Sequence, residues 1–291
     1  MKRSAAYVLA VGTIVIWSST FIATKVLLRF FTPIEILVYR FFLAWLLMFL
    51  VYPRVHRPES IKNELKMILA GLTGGTLYFV AENWALSYSL ASNVSLLVAT
   101  APIMTSILAH FMTRTERITR HTAAGGLAAF IGTVLVIFNG AFILKLNPLG
   151  DSLALISALS WALYSIIIRG MASRYSTLYN TRKIFFYTLV TVIPVLFFQR
   201  PRFDFTPFLD WKVSANLLFL TLFASCAAYV FWTKVVQTLG ATRANNFIYF
   251  IPLLTLAGSA LVLGEPLTLW AVCGAGLIFT GVWITGRGRA Q

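Results

Sequence analysis

Three observations predict an all-α integral membrane protein with ten transmembrane helices in an inverted five-plus-five repeat. The 291 residues are 59% hydrophobic and only 11% charged, against roughly 45–50% and about 25% in soluble domains. The apolar residues gather into about ten runs, each long enough to cross a hydrocarbon core roughly 30 Å thick. The second half of the chain also repeats the residue pattern of the first, at an offset near 150 positions (Pro102 to Pro252).

The runs occupy residues 5–28, 33–52, 65–88, 93–112, 122–143, 150–171, 180–199, 213–237, 243–263 and 267–286. They are continuously apolar rather than alternating, which disfavours a β-barrel, and a helix satisfies its own backbone hydrogen bonds in lipid. The first run follows Lys2-Arg3 and resembles a secretory signal. It continues through Trp17 to Leu28, too long for a signal core, and reads as a retained helix. With the amino terminus in the cytoplasm, the connectors place fourteen Lys and Arg inside against five outside. The sequence therefore predicts a multi-pass protein of the bacterial inner membrane with both termini cytoplasmic.

Composition also excludes function classes. The net charge of +15 comes mainly from short connectors, which suits anionic lipid headgroups and gives no nucleic-acid surface. Cys226 and Cys273 lie in apolar runs, with no CxxC or Cys/His cluster, so neither a metal site nor a bound cofactor is expected. No GxxxxGK[ST] loop is present for ATP-driven pumping, and no His or acid is placed to activate a serine. The expectation is a protein that is not an enzyme; a membrane-embedded catalyst or lipid handler would need a cluster that is missing.

The repeat divides the chain into residues 1–146 and 147–291. Trp17 is echoed by Trp161, and Phe41-Phe42 by Phe185-Phe186. Ala91-Ser92-Asn93, Ala101-Pro102 and Glu116-Arg117-Ile118-Thr119 recur as Ala241-Thr242-Arg243, Ile251-Pro252 and Glu265-Pro266-Leu267-Thr268. Five helices per unit force the second unit to enter the membrane upside down. That build is common in secondary transporters, whose substrate site lies near the midplane between the halves.

On Trp17-Ser18-Ser19, Trp161-Ala162 and the stretch from Leu239-Gly240-Ala241-Thr242 to Gly264-Glu265-Pro266-Leu267-Thr268, nearly the whole chain resembles the drug/metabolite transporter superfamily, EamA type. The resemblance implies ten helices and export or exchange of small metabolites, and the chain is similar to bacterial amino-acid exporters of that group. The first half departs from the Gly-Glu-Pro turn, reading Arg114-Thr115-Glu116-Arg117.

Several residues could form the site. Glu82 sits inside the third run, where a carboxylate costs a few kcal/mol unless paired or protonated. Its partner is expected to be Lys234, across a central cavity, as a responsive pair or as a static ion pair fixing helix registry. Arg40 lies a third of the way into its run, as a further charge or an interfacial anchor. Trp17, Tyr78, Trp161, Tyr164, Tyr229 and Tyr249 offer apolar faces with one polar handle each, and Asn83 and Asn245 offer amides. Pro102 and Pro252 are candidate hinges. Gly71 with Gly75, and Gly125 with Ala129, are expected to be close-packing faces.

The expected function is secondary active transport of small amphipathic metabolites, amino acids first, by alternating access. The alternative is exchange of phosphorylated or carboxylated anions on the intramembrane Lys and Arg. The partners expected are a small-molecule substrate and membrane lipid, and a monomer is compatible with the sequence.

Overall fold

The computed structural model describes residues 1–58, 60–89, 91–113, 116–138, 147–171, 175–199, 201–254, 257 and 268–287, and these contain helices and no strand. Ten helical segments follow in chain order. They are α1 (Arg3–Leu27), α2 (Pro33–Val51), α3 (Ile61–Tyr88), α4 (Ala91–Met112), α5 (Arg120–Phe138), α6 (Pro148–Arg169), α7 (Thr177–Gln199), α8 (Trp211–Leu239), α9 (from Ala241) and α10 (Leu269–Arg287). Eight have, over 18 or more residues, the length and hydropathy to cross a membrane. The third is diluted by Thr73-Gly74-Gly75-Thr76 and by Glu82-Asn83. The ninth is described as far as residue 254; residues 255, 256 and 258–267, with Glu265 and Pro266 of the repeat motif, lie outside the described residues.

Local chemistry sets the helix starts. Thr32 and Glu35 form a reciprocal capping box at α2, with Pro33 in the first turn. The Asn147 side chain caps α6 by accepting from the Gly150 amide. Asp151 accepts from the Asn147 amide and the Ser89 hydroxyl, tying α6 to the end of α3.

The outward faces are apolar: Val8, Phe111, Leu127, Phe198 and Phe279 are all exposed. A surface of that kind is stable only against lipid. Small residues let the helices approach. Along the α5–α10 seam a Cβ on Gly125 would stand 2.5 Å from the Gly281 carbonyl, and one on Gly281 would stand 2.4 Å from the Gly125 carbonyl. Gly132 and Gly274 repeat that reciprocity further along. Gly71 abuts the α7 backbone at Ile184, and Gly75 abuts the Thr188 side chain.

The third helix of each half contains a π-helical stretch, Leu72–Leu77 in α3 and Leu220–Ala227 in α8. Their starts are 148 positions apart, so the distortion belongs to the repeat. Pro102 does not kink a continuous helix. It lies in the first turn of Ala101–Met112, after α4 breaks at Ala99-Thr100. Pro252 follows a 3₁₀ stretch, Asn246–Tyr249.

Gly281→Leu is expected to force the α5–α10 seam apart, because backbone rather than a flexible side chain opposes the new Cβ. The cost should exceed the roughly 1–3 kcal/mol typical of overpacking. The check is thermal unfolding in detergent, where Gly276→Leu, at a position open to lipid, should melt close to the parent.

Candidate functional site

A small cavity lies among α1, α2, α3, α4, α6, α8 and α9, lined by Trp17, Thr20, Arg40, Tyr78, Phe79, Glu82, Val98, Trp161, Tyr229, Ile248 and Ile251. Its volume is about 40 Å³, room for a few waters at most.

The π stretches build its wall. A π turn carries an extra residue, so the α-helical ladder is interrupted and a carbonyl is released. The Gly74 carbonyl in α3 accepts from the Tyr229 hydroxyl of the second half at 2.6 Å. The Ala224 carbonyl in α8 accepts from the Trp17 indole Nε1 of the first half at 3.2 Å. Gly74 and Ala224 are 150 positions apart, the spacing of the repeat. Each half thus supplies a carbonyl for an aromatic donor of the other. Gly74 has no room for a side chain: a Cβ there would stand 2.3 Å from the Tyr164 ring.

The aromatic side chains pack on one another. Trp17 meets Trp161 edge-on at 5.1 Å between ring centres and lies 5.0 Å from Trp232. Tyr78 and Tyr164 each lie 5.1 Å from Trp161. Contacts of this kind fix ring orientation as well as burying area.

Two opposite charges face this cavity. Arg40, 4% exposed, donates from Nε to the Ser225 hydroxyl at 2.6 Å and lies over the Phe79 ring at 4.5 Å. Its two terminal nitrogens donate to no described residue. Glu82, 8% exposed, accepts from the Tyr78 hydroxyl through Oε1 at 2.8 Å, and its Oε2 has no described partner. The two charges share the cavity without an ion pair within 4.0 Å; the ion pairs among the described residues are Arg169–Glu116 and Lys183–Glu64.

The structure corrects the expected partner of Glu82. Lys234 is exposed on the outer face of α8. Trp232, two residues earlier, is fully buried. Two residues turn a helix by about 200°, so the neighbours face opposite ways. Arg40 takes the place expected for Lys234.

Trp17, Tyr78, Glu82, Trp161, Tyr229 and Arg40 come together, with Tyr164 packed directly behind them. Asn83, Asn245 and Tyr249 do not join them. The Asn83 amide donates to the Pro33 carbonyl and ties α3 to α2. Asn245 donates back to Ala241 in its own helix. Tyr249 is buried at a separate crevice with Pro102, Ser106 and Asn246. Sequence reasoning missed Ser225, Phe79, Thr20 and the two carbonyls. The 150-residue offset joining Gly74 to Ala224 was the available signal. No group of three potential metal-ligating side chains occurs among the described residues.

Comparison with known proteins places this architecture in a class. The chain matches the EamA-like transporter family twice, over residues 4–138 and again over 148–287. It belongs to that family and is a multi-pass membrane protein. It is 30% identical to an "uncharacterized transporter" of Archaeoglobus fulgidus, covering 95% of this chain and 97% of that protein. It is 25% identical to a "probable amino-acid metabolite efflux pump" of Escherichia coli, covering 95% and 93%. It is 27% identical to a "probable terminal-alkyne amino-acid exporter" of Streptantibioticus cattleyicolor, covering 99% and 95%. A crystal structure 18% identical in sequence shares the fold with a TM-score of 0.78, over 99% of this chain and all of that one.

Tyr229→Phe removes the donor to the Gly74 carbonyl and keeps the ring. It should cost about 1 kcal/mol of stability. With Trp17→Phe, the double variant should lose a different amount from the sum of the singles, because both bonds join the halves at one wall. Unfolding in mixed detergent measures all three.

Proposed function

We propose that the protein is a secondary transporter that exports or exchanges small amphipathic metabolites, amino acids first, by alternating access around the Arg40–Glu82 cavity. The observation that carries this reading is the open charge pair. Burying two charges is costly, and contact between them would offset part of that cost. Here each charge keeps an unoccupied polar face toward the same space. A zwitterion fits that arrangement. Its carboxylate meets the terminal nitrogens of Arg40, its ammonium meets Oε2 of Glu82, and its side chain replaces contacts among Trp17, Tyr78 and Trp161.

The cavity is smaller than such a substrate, so binding requires the helices around it to part. The breaks near Pro102 and Pro252 and the π stretches of α3 and α8 are where the backbone gives most easily. In the other half of the cycle Glu82 takes a proton in place of the ammonium, which couples export to the proton gradient. The names carried by the relatives from Escherichia coli and Streptantibioticus cattleyicolor support the amino-acid class.

Orientation follows the basic connectors, with both termini in the cytoplasm of a bacterial cell and the membrane the inner one. The working unit in this proposal is a monomer. The runner-up, an anion exchanger, loses support because Glu82 faces the same cavity as Arg40 and Lys234 lies elsewhere.

The test is a proteoliposome panel of amino acids with and without a pH gradient. N-acetyl and amide derivatives, each lacking one charge, should compete at least about tenfold more weakly than the parent amino acid, as expected when a buried polar group is left unpaired. Glu82→Gln should remove the pH-gradient dependence, and Arg40→Ala should abolish uptake. Failure to move any amino acid under any gradient, or unchanged pH dependence in Glu82→Gln, would overturn the reading.

A further inference from the structure

Away from the cavity, one carboxylate joins the two halves. Glu116 lies in the connector between α4 and α5. Its two oxygens accept from the first backbone amides of α9, Ala241 at 2.9 Å and Thr242 at 2.8 Å. These are orphan donors of a helix start, and a carboxylate there also meets the positive end of the helix dipole. Gly240 stands at φ +93°, and a Cβ on it would lie 3.0–3.2 Å from the Glu116 carboxyl group. The turn is therefore built for close approach by this side chain.

A third element closes on the same point. Arg169, at the end of α6, brings its Nε to 3.4 Å from Glu116, a charge contact, and donates from a terminal nitrogen to the Gln237 carbonyl at the end of α8. One acid of the first half thus holds the ends of α6, α8 and α9 of the second.

The position of this junction relative to the cavity gives it meaning. Trp161 on α6, Tyr229 on α8 and Ile248 on α9 line the cavity about 12 Å from the junction, at 1.5 Å per residue. Between them lie Tyr164, Trp232 and Ala244, each fully buried. The path from the cavity to this end of the bundle is filled, and Glu116 fastens its mouth.

We propose that Glu116 is the latch of the transport path at this end, clasping the start of α9 and, through Arg169, the ends of α6 and α8, and that it must release for the cavity to open to that side. A helix cap alone would need only the two amides. The basic partner and the glycine fitted to the carboxylate tie three helix ends of one half to a connector of the other. The inference rests on alternating access, and its test needs no substrate, so failure of the amino-acid reading leaves it standing.

The experiment places a single cysteine behind the latch, Ala244→Cys, in a chain with Cys226 and Cys273 replaced by serine. The protein is reconstituted in vesicles, and a membrane-impermeant maleimide is added on the side bearing residues 116–119. Glu116→Gln and Arg169→Gln should each raise the labelling rate about tenfold, the size of an ordinary coupling between conformations. Glu116→Asp, which keeps the charge on a shorter arm, should fall between them and the parent. Thermal melting of the same samples establishes that the variants are folded. Unchanged labelling with folded protein overturns the proposal. A lowered melting temperature with no gain in labelling also overturns it, since Glu116 is then a cap and nothing more.

Discussion

The reciprocal bonds from aromatic donors to π-helical carbonyls are the constraint on which the centre of the molecule depends. A regular helix keeps every interior carbonyl for its own ladder and has none to give. By carrying an extra residue in α3 and in α8, each half releases a carbonyl at mid-bundle depth, Gly74 in one and Ala224 in the other. Tyr229 and Trp17 cross to the opposite half to satisfy them. In hydrocarbon an unsatisfied carbonyl is costly, so the distortion and the crossing donor stand or fall together. The same side chains then form the wall against which Trp161 and Tyr164 pack, and Tyr78 packs on Trp161 in turn.

That wall fixes where charge can be tolerated. Arg40 is held by the Ser225 hydroxyl, within the π stretch of α8, and by the face of Phe79. Glu82 is held by Tyr78 one helical turn earlier. Each charge is positioned by uncharged groups, Arg40 by Ser225 and Phe79 and Glu82 by Tyr78, rather than by the other charge. An ion pair in contact would be a finished structural element, whereas two separately supported charges with free faces leave the space between them to a ligand or to water. The end of the bundle where α3 and α7 begin shows the contrast, since Lys183 and Glu64 meet there at 2.6 Å.

The sequence revealed the helices, their order and the repeat, because each rests on local composition or on comparison of the chain with itself. It also pointed to Glu82 and Arg40, because a charge within an apolar run is conspicuous, and to the aromatic residues that gather around the cavity, Tyr249 excepted. It misassigned the partner of Glu82. Pseudo-symmetry rightly placed α8 at the cavity, where Tyr229 lines it, but the face is set by a rotation of about 100° per residue, Lys234 sits about 200° from buried Trp232, and the charge facing Glu82 comes from Arg40 on α2 instead. The Asn residues were misread for a related reason. Asn83 and Asn245 bond backbone carbonyls near at hand, a use that composition cannot separate from ligand binding. The π stretches leave no compositional mark. The offset of 150 positions relates Gly74 to Ala224, but the release of their carbonyls, and the place of Ser225 beside one of them, depends on the break in the helical ladder.

The most direct measurement of the central claim is the position of a bound amino acid. In reconstituted protein loaded with ¹⁵N,¹³C-labelled substrate, solid-state NMR can report contacts from the substrate nitrogen to the Glu82 carboxyl carbon and from its carboxyl carbon to the Arg40 guanidinium. The account predicts both contacts in the same molecule, within about 4 Å, the reach of charge-assisted hydrogen bonds. A substrate that contacts neither group, or that binds equally well when both are neutral, would contradict it.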